Sequence, residues 1–192
     1  MLHLVILSAQ QLQTANGLRE TAEQLQVSKT RIAYAGRIFN LLPELRKRIS
    51  AHFLGTSIQE AIQSVETLLA TETPLEDKEP VSKQATALSE SFMHNQPMID
   101  MYTLTETIKV GIPSEFSLIA IRQLGNNLAS ALSLGDLDSL RIEMDWIRGL
   151  LHEHDQQPES LGDFITAYAK SVDTTMGVEG QPIADWLRNQ VN

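Results

Sequence analysis

Apolar positions recur at intervals of three and four over most of this chain, the spacing of helices that bury one face. The pattern is clearest in the second half. There Pro97–Lys109 reads as a helix that stops at Val110-Gly111-Ile112-Pro113, with Pro113 opening the next one. Phe116, Ile119, Ala120, Gln123, Leu124, Leu128, Ala131 and Leu132 then form a stripe up to Leu134-Gly135. Asp136 is placed to cap a helix carrying Leu137, Leu140, Met144, Ile147, Leu150 and Leu151. Pro158-Glu159 opens another, with Leu161, Phe164, Ile165, Tyr168, Ala169 and Val172 inward, ending at Met176-Gly177. A short last helix near Pro182 includes Ile183, Trp186 and Leu187. Short connections between successive helices predict antiparallel neighbours, hence an up-and-down bundle. At the other end, Met1–Leu7 predicts a first buried helix, with a short strand as the alternative.

Two prolines and a run of charges at Thr71–Pro80 interrupt the periodicity and predict a solvated linker over residues 71–83. It separates a module at 1–70 from an acidic helical bundle at 84–192. Residues 1–70 carry seven basic and five acidic side chains, whereas the remainder carries eight and 19. Such a split points to different partners for the two parts. The chain's 192 residues with 42% hydrophobic content can build a real core, and the 5% aromatic content favours packed helices over a sandwich of strands. The absence of cysteine excludes a disulfide scaffold, a thiolate metal site and a cysteine nucleophile. No apolar run is long enough to span a membrane, and the start lacks a basic leader pattern, so a cytoplasmic protein is expected.

The stretch Leu18–Ala35 has the spacing of a helix-turn-helix. Ala22 is the small residue at a close crossing, Leu25, Val27 and Ile32 hold two short helices together, and Ser28 caps the second. Lys29, Thr30, Arg31, Tyr34 and Arg37 are then left on the solvent side of that second helix, the part that enters the major groove in this motif. Arg grips guanine bidentately, Thr contacts base edges, and Lys with backbone amides at a helix start neutralises phosphate. Gln26 stands where such turns often carry glycine, and Gly36 inside the second helix is explained by close packing. Arg46-Lys47-Arg48 on the following helix adds sequence-blind attraction to phosphate.

From Thr21 through Ser28–Ile32 to Arg37–Leu45, then Gly55–Ala61, the chain resembles the helix-turn-helix region of ParB-type partition proteins and related phage and plasmid regulators. The resemblance covers about residues 18–65 and implies sequence-specific binding of double-stranded DNA, commonly by dimers. It does not extend to that family's nucleotide-binding motifs, so partition activity and nucleotide hydrolysis are not carried over.

Enzymatic signals are weak, and no cofactor is expected. His152-Glu153-His154-Asp155 is the densest set of metal-ligand types, but histidines two apart on a helix point away from one another, and interaction with a helix C-terminus explains them better. Asp136, Asp138, Glu143 and Asp145 read as a cap and a solvated face. Met93, Met98, Met101 and Met144 with Trp146, Phe164 and Tyr168 are core residues or the lining of a pocket for an apolar effector. The sequence therefore predicts an all-α protein: a helix-turn-helix module followed by an antiparallel bundle. The leading expectation is a homodimeric, non-enzymatic DNA-binding regulator. Ser28 and Lys29 would engage phosphate, Thr30, Arg31 and Tyr34 the groove, Arg37, Arg46, Lys47 and Arg48 the flanking backbone. The bundle would serve dimer contacts, a protein partner or an effector. The alternative is a helical sensor or adaptor that does not bind DNA, in which residues 18–42 only pack.

Overall fold

The segment Arg31–Ala35, which the sequence places on the second helix of a helix-turn-helix, is a β-strand in the computed structural model, which describes residues 4–26, 30–75, 78–144 and 159–191. It is the middle strand, β2, of a three-stranded parallel sheet with β1 (Leu4–Ser8) and β3 (His52–Phe53) on its two sides. The protein remains mostly helical, but the all-α expectation needs this correction, and the helix-turn-helix geometry is absent over Arg31–Ala35. The cause lies in burial. Ile32, Ala33 and Tyr34 are consecutive and all buried, which a strand covered on both faces allows and an amphipathic surface helix does not. In the strand register Ile6 stands beside Ala33 and Leu7 beside Tyr34, so the apolar run at Leu4–Ser8 is the strand alternative rather than a helix.

Between these strands α1 (Leu12–Gln26) buries Leu12, Ala15, Leu18 and Ala22 along one stripe and packs against β1 and β2, giving a β-α-β crossover. After β2 come a short α2 (Arg37–Leu41), a 3₁₀ turn at Pro43–Arg48, β3, and then α3 (Ile58–Ala70). Ser57 caps α3 by accepting a hydrogen bond from the Glu60 amide at 3.2 Å. Leu68 of α3 joins Ala33 and Leu54 in a core cluster, with Leu4, Ala35, Ala61 and Val65 packed around it. Alternation along β2 sends Ile32 and Tyr34 to the other face. There Tyr34 meets Phe39 edge-on, with ring centroids 4.7 Å apart.

The division between the two units falls between Val81 and Ser82, inside the predicted linker. Part of that linker is not solvated tether. The Glu79 amide donates to the Lys47 carbonyl (3.0 Å), and the Arg48 guanidinium donates to the Glu79 and Pro80 carbonyls (2.9 and 3.2 Å).

The second unit is helical throughout its described residues. Its helices are α4 (Lys83–Lys109), α5 (Ser114–Leu134), α6 (Glu159–Met176) and α7 (Gln181–Arg188), with α4 packed on both α5 and α6, and α6 on α7. Pro113 precedes α5, Gly135 follows it in the left-handed region (φ 73°), and Asp136 accepts from the Asp138 amide at 3.1 Å. The first helix of the bundle starts earlier than the sequence indicates. Ser82 caps it by accepting from the Ala85 amide, and it runs through Pro97. Leu124, Leu128, Phe164, Tyr168, Val172, Ile183 and Leu187 form much of the core, whereas Ile119 faces outward. Among the described residues no helix is long and apolar enough to cross a membrane.

Candidate functional site

Among the described residues, those expected to face DNA do not share one open surface. Ser28 and Lys29 lie outside the described residues. Thr30 is half-buried just before β2, and Tyr34, within β2, is completely buried. Arg31 opens β2, and its guanidinium donates to the Leu68 carbonyl and, at 2.8 Å, to the Thr71 carbonyl. These carbonyls belong to the C-terminal end of α3, where a cation satisfies acceptors that the helix leaves unpaired. Arg31 therefore caps the C-terminal end of a neighbouring helix. Arg37 is exposed at the first turn of α2, and its amide donates to the Gln10 side-chain oxygen at 3.4 Å. Lys47 pairs with Glu44 (2.7 Å) and Glu79 (3.8 Å), and Arg48 with Glu79 (3.9 Å), so the basic run is largely answered by the chain's own carboxylates and carbonyls. The hydrogen bond and charge of Lys47 hold the Glu44 carboxyl below its ordinary pKa, and Glu44 in turn raises that of Lys47.

Two residues of the predicted set do meet. Arg46 and Tyr34 line a half-open cleft of about 520 Å³ that wraps the edge of the sheet at β3. Its walls come from four places: Tyr34 on β2, Arg46 on the 3₁₀ turn, Ala51, His52 and Phe53 at β3, and the polar flank of α3, where Glu60, Gln63, Ser64 and Thr67 project. Thr73, Pro74 and Lys78 close the remaining side. β3, at this edge of the sheet, is only two residues long.

Arg46 is held in place before any ligand arrives. Its Nε donates to the Phe39 carbonyl at 2.9 Å, and its guanidinium carbon sits 4.2 Å above the centre of the Phe53 ring. The Tyr34 hydroxyl reaches the Arg46 carbonyl at 3.4 Å, and the Lys78 ammonium reaches the same oxygen at 3.5 Å. Among the described lining residues Glu60 is the one acid, and its carboxylate is already occupied. It accepts from the Thr56 amide (2.6 Å) and hydroxyl (3.1 Å), and these hydrogen bonds hold its pKa below the ordinary glutamate value, with a smaller contribution from the charge of Arg46. Two cations, one committed carboxylate, a histidine, an aromatic face and several amide and hydroxyl groups thus converge on one opening.

His52, Phe53, Gln63, Ser64, Thr67 and Lys78 were not singled out by the sequence. A weak signal for β3 is present, since the mostly apolar Ala51–Leu54, interrupted by His52, is bounded by Ser50 and Gly55-Thr56-Ser57. No comparable signal marks Lys78, which reaches the cleft only because the following backbone docks on the 3₁₀ turn.

In the second unit, the set suggested for an apolar effector is not brought together. Met93, Met98 and Met101 are exposed on α4, Met144, Phe164 and Tyr168 are buried, and Trp146 lies outside the described residues. What the core does hold is a polar pair. Burial pushes the Asp100 carboxyl up to about 6, and burial together with the nearby Asp100 charge drives the Tyr168 hydroxyl above its ordinary value. Among the described residues neither Asp100 Oδ1 nor the Tyr168 hydroxyl has a hydrogen-bond partner. The histidine pair His152 and His154 lies outside the described residues, and among the described ones no cluster of three metal-ligating side chains occurs. No protein-family model and no curated protein matches this chain.

Proposed function

We propose that this chain is a non-enzymatic sensor or adaptor whose α/β unit takes a small organic anion with a planar apolar portion in the β3 cleft. The observation that carries this reading is the convergence of Arg46 and Lys78 on a ligand-sized opening whose wall includes the Phe53 ring. A pre-oriented guanidinium binds a carboxylate or phosphate with less ordering cost than a mobile side chain. The second unit, separate and acidic, supplies a surface for a protein partner. Burial of Tyr34 and commitment of Arg31, Lys47 and Arg48 within the protein favour this alternative over a DNA-reading one.

Isothermal titration with phenyl phosphate, benzoate and inorganic phosphate tests the reading. Phenyl phosphate is expected to bind more tightly than inorganic phosphate, because the ring adds apolar contact. Arg46→Gln and Lys78→Gln are each expected to weaken it by roughly 10- to 100-fold, the loss of about 1.5–3 kcal/mol of charge-assisted hydrogen bonding. Lys78→Gln matters most as a control, since it spares the Arg46–Phe53 packing. No heat with any of the three probes, or binding that both variants leave intact, would overturn the reading. So would recovery of a consensus duplex from a random pool.

A further inference from the structure

The same α/β unit has a second unusual surface, on the side away from the cleft. Among the described residues β1 pairs only with β2, so its other edge presents a row of unpaired backbone groups. That edge, Leu4-Val5-Ile6-Leu7-Ser8, contains no charge and no proline, the devices by which exposed edges normally repel another strand. Ile6 is 53% exposed although it stands beside the buried Ala33.

Helix α3 extends this surface. At 100° per residue, Ala61, Val65 and Leu68 form the face on the sheet, and Glu60, Gln63 and Thr67 form the flank toward β3 and its cleft. Ile58, Ile62 and Leu69 fall together on the opposite flank, toward β1, and are 77%, 55% and 53% exposed. From Ile58 to Leu69 this stripe runs about 16 Å, the length of a five-residue strand. An open apolar strand edge and an uncovered apolar helix flank therefore lie side by side on one face.

We infer that this surface is the interface of a homodimer, in which β1 pairs antiparallel with β1 of a second copy and the two α3 stripes pack together above the junction. An occupant must supply both a strand for the edge and a helix for the stripe. A second copy related by a two-fold axis normal to the sheet supplies both at once, with each surface opposite itself. The described residues of the second unit include no strand. The result is a continuous six-stranded sheet with both α3 helices on the same face.

Light scattering coupled to size exclusion over a concentration series tests this. The intact chain is expected to have twice its chain mass. Ile6→Lys and Ile62→Glu, both at exposed positions, are each expected to weaken self-association by at least about tenfold with an unchanged circular dichroism spectrum. A monomer throughout the series would overturn the inference, as would a dimer that neither variant weakens. The β3 cleft is not part of this interface, so anion binding and dimerisation stand or fall separately.

Discussion

Gly36→Ala is expected to unfold the α/β unit. Gly36 joins β2 to α2 with φ 140° and ψ 156°, a conformation that residues with a side chain rarely adopt. A Cβ there would lie 1.9 Å from the Ala9 carbonyl oxygen and 2.8 Å from its carbonyl carbon and amide nitrogen. All three are backbone atoms, so no rotamer change relieves the clash. Neither can Ala9 withdraw, because it is fully buried and its amide donates to the Ala35 carbonyl at 3.1 Å, extending the β1–β2 ladder. Strain and collision together are expected to cost more than about 4 kcal/mol, a large share of the ~5–15 kcal/mol that holds a typical domain. Urea unfolding followed by circular dichroism measures this directly. Gly17→Ala is the matched control, since a Cβ at Gly17, within α1, meets nothing within 4 Å. Helix propensity makes that change stabilising by up to about 1 kcal/mol. If Gly36→Ala kept the parent's stability, the strand-to-helix crossing described here would be wrong.

Tyr34→Ala carries the second large effect. The ring is fully buried and packs against Phe39 and Phe53, with centroids 4.7 and 5.4 Å away. Removing it takes away that burial and leaves a void beside the cleft, at an expected cost of about 3–5 kcal/mol. Tyr34→Phe is expected to cost only about 0.5–1.5 kcal/mol, because the hydroxyl's hydrogen bond to the Arg46 carbonyl is long, at 3.4 Å. The pair separates two structures. A tyrosine on the open face of a DNA-reading helix would tolerate both changes within about 0.5 kcal/mol. Chemical denaturation of the two variants decides between them.

The helical unit was largely legible in the sequence because its punctuation is local. Pro113, Gly135, Asp136, Met176-Gly177 and Pro182 each act on the backbone within a turn, and the structure starts or stops elements at each. The start of α4 at Lys83 is not legible in the sequence, because Pro97 has the form of an opening residue yet lies inside the helix. The sheet was hidden for a different reason. Leu4–Ser8 and Arg31–Ala35 each carry an apolar run of only four residues, too short for period to separate a buried strand from a turn of helix. Ser28 and the small Ala22 fit a helix-turn-helix locally, and Gly36 does not decide against it. A glycine just after Arg31–Ala35 marks the end of a strand as well as it fits a helical interior. The structure places Gly36 between β2 and α2 rather than inside a helix, and its close neighbour is the backbone of Ala9.

The candidate site was legible only in part. Arg46 stood out as a cation, and Tyr34 as an aromatic near it in sequence. Nothing local says that a guanidinium will lie over Phe53 or that Glu60 will turn its carboxylate to Thr56. Lys78 was hidden inside a segment whose prolines and charges describe a solvated linker. Its docking depends on backbone hydrogen bonds such as Glu79 to Lys47, which side-chain patterns do not encode.

Backbone NMR assignment of Arg31–Arg37 tests most directly whether this segment is an interior strand rather than a groove-reading helix. Extended-chain carbon shifts over Arg31–Ala35, cross-strand contacts between the Ile6 and Ala33 backbones, and slow amide exchange at Ala33 and Tyr34 are the expected result. Helical shifts across the segment, with fast exchange and resonances that move when duplex DNA is added, would contradict it.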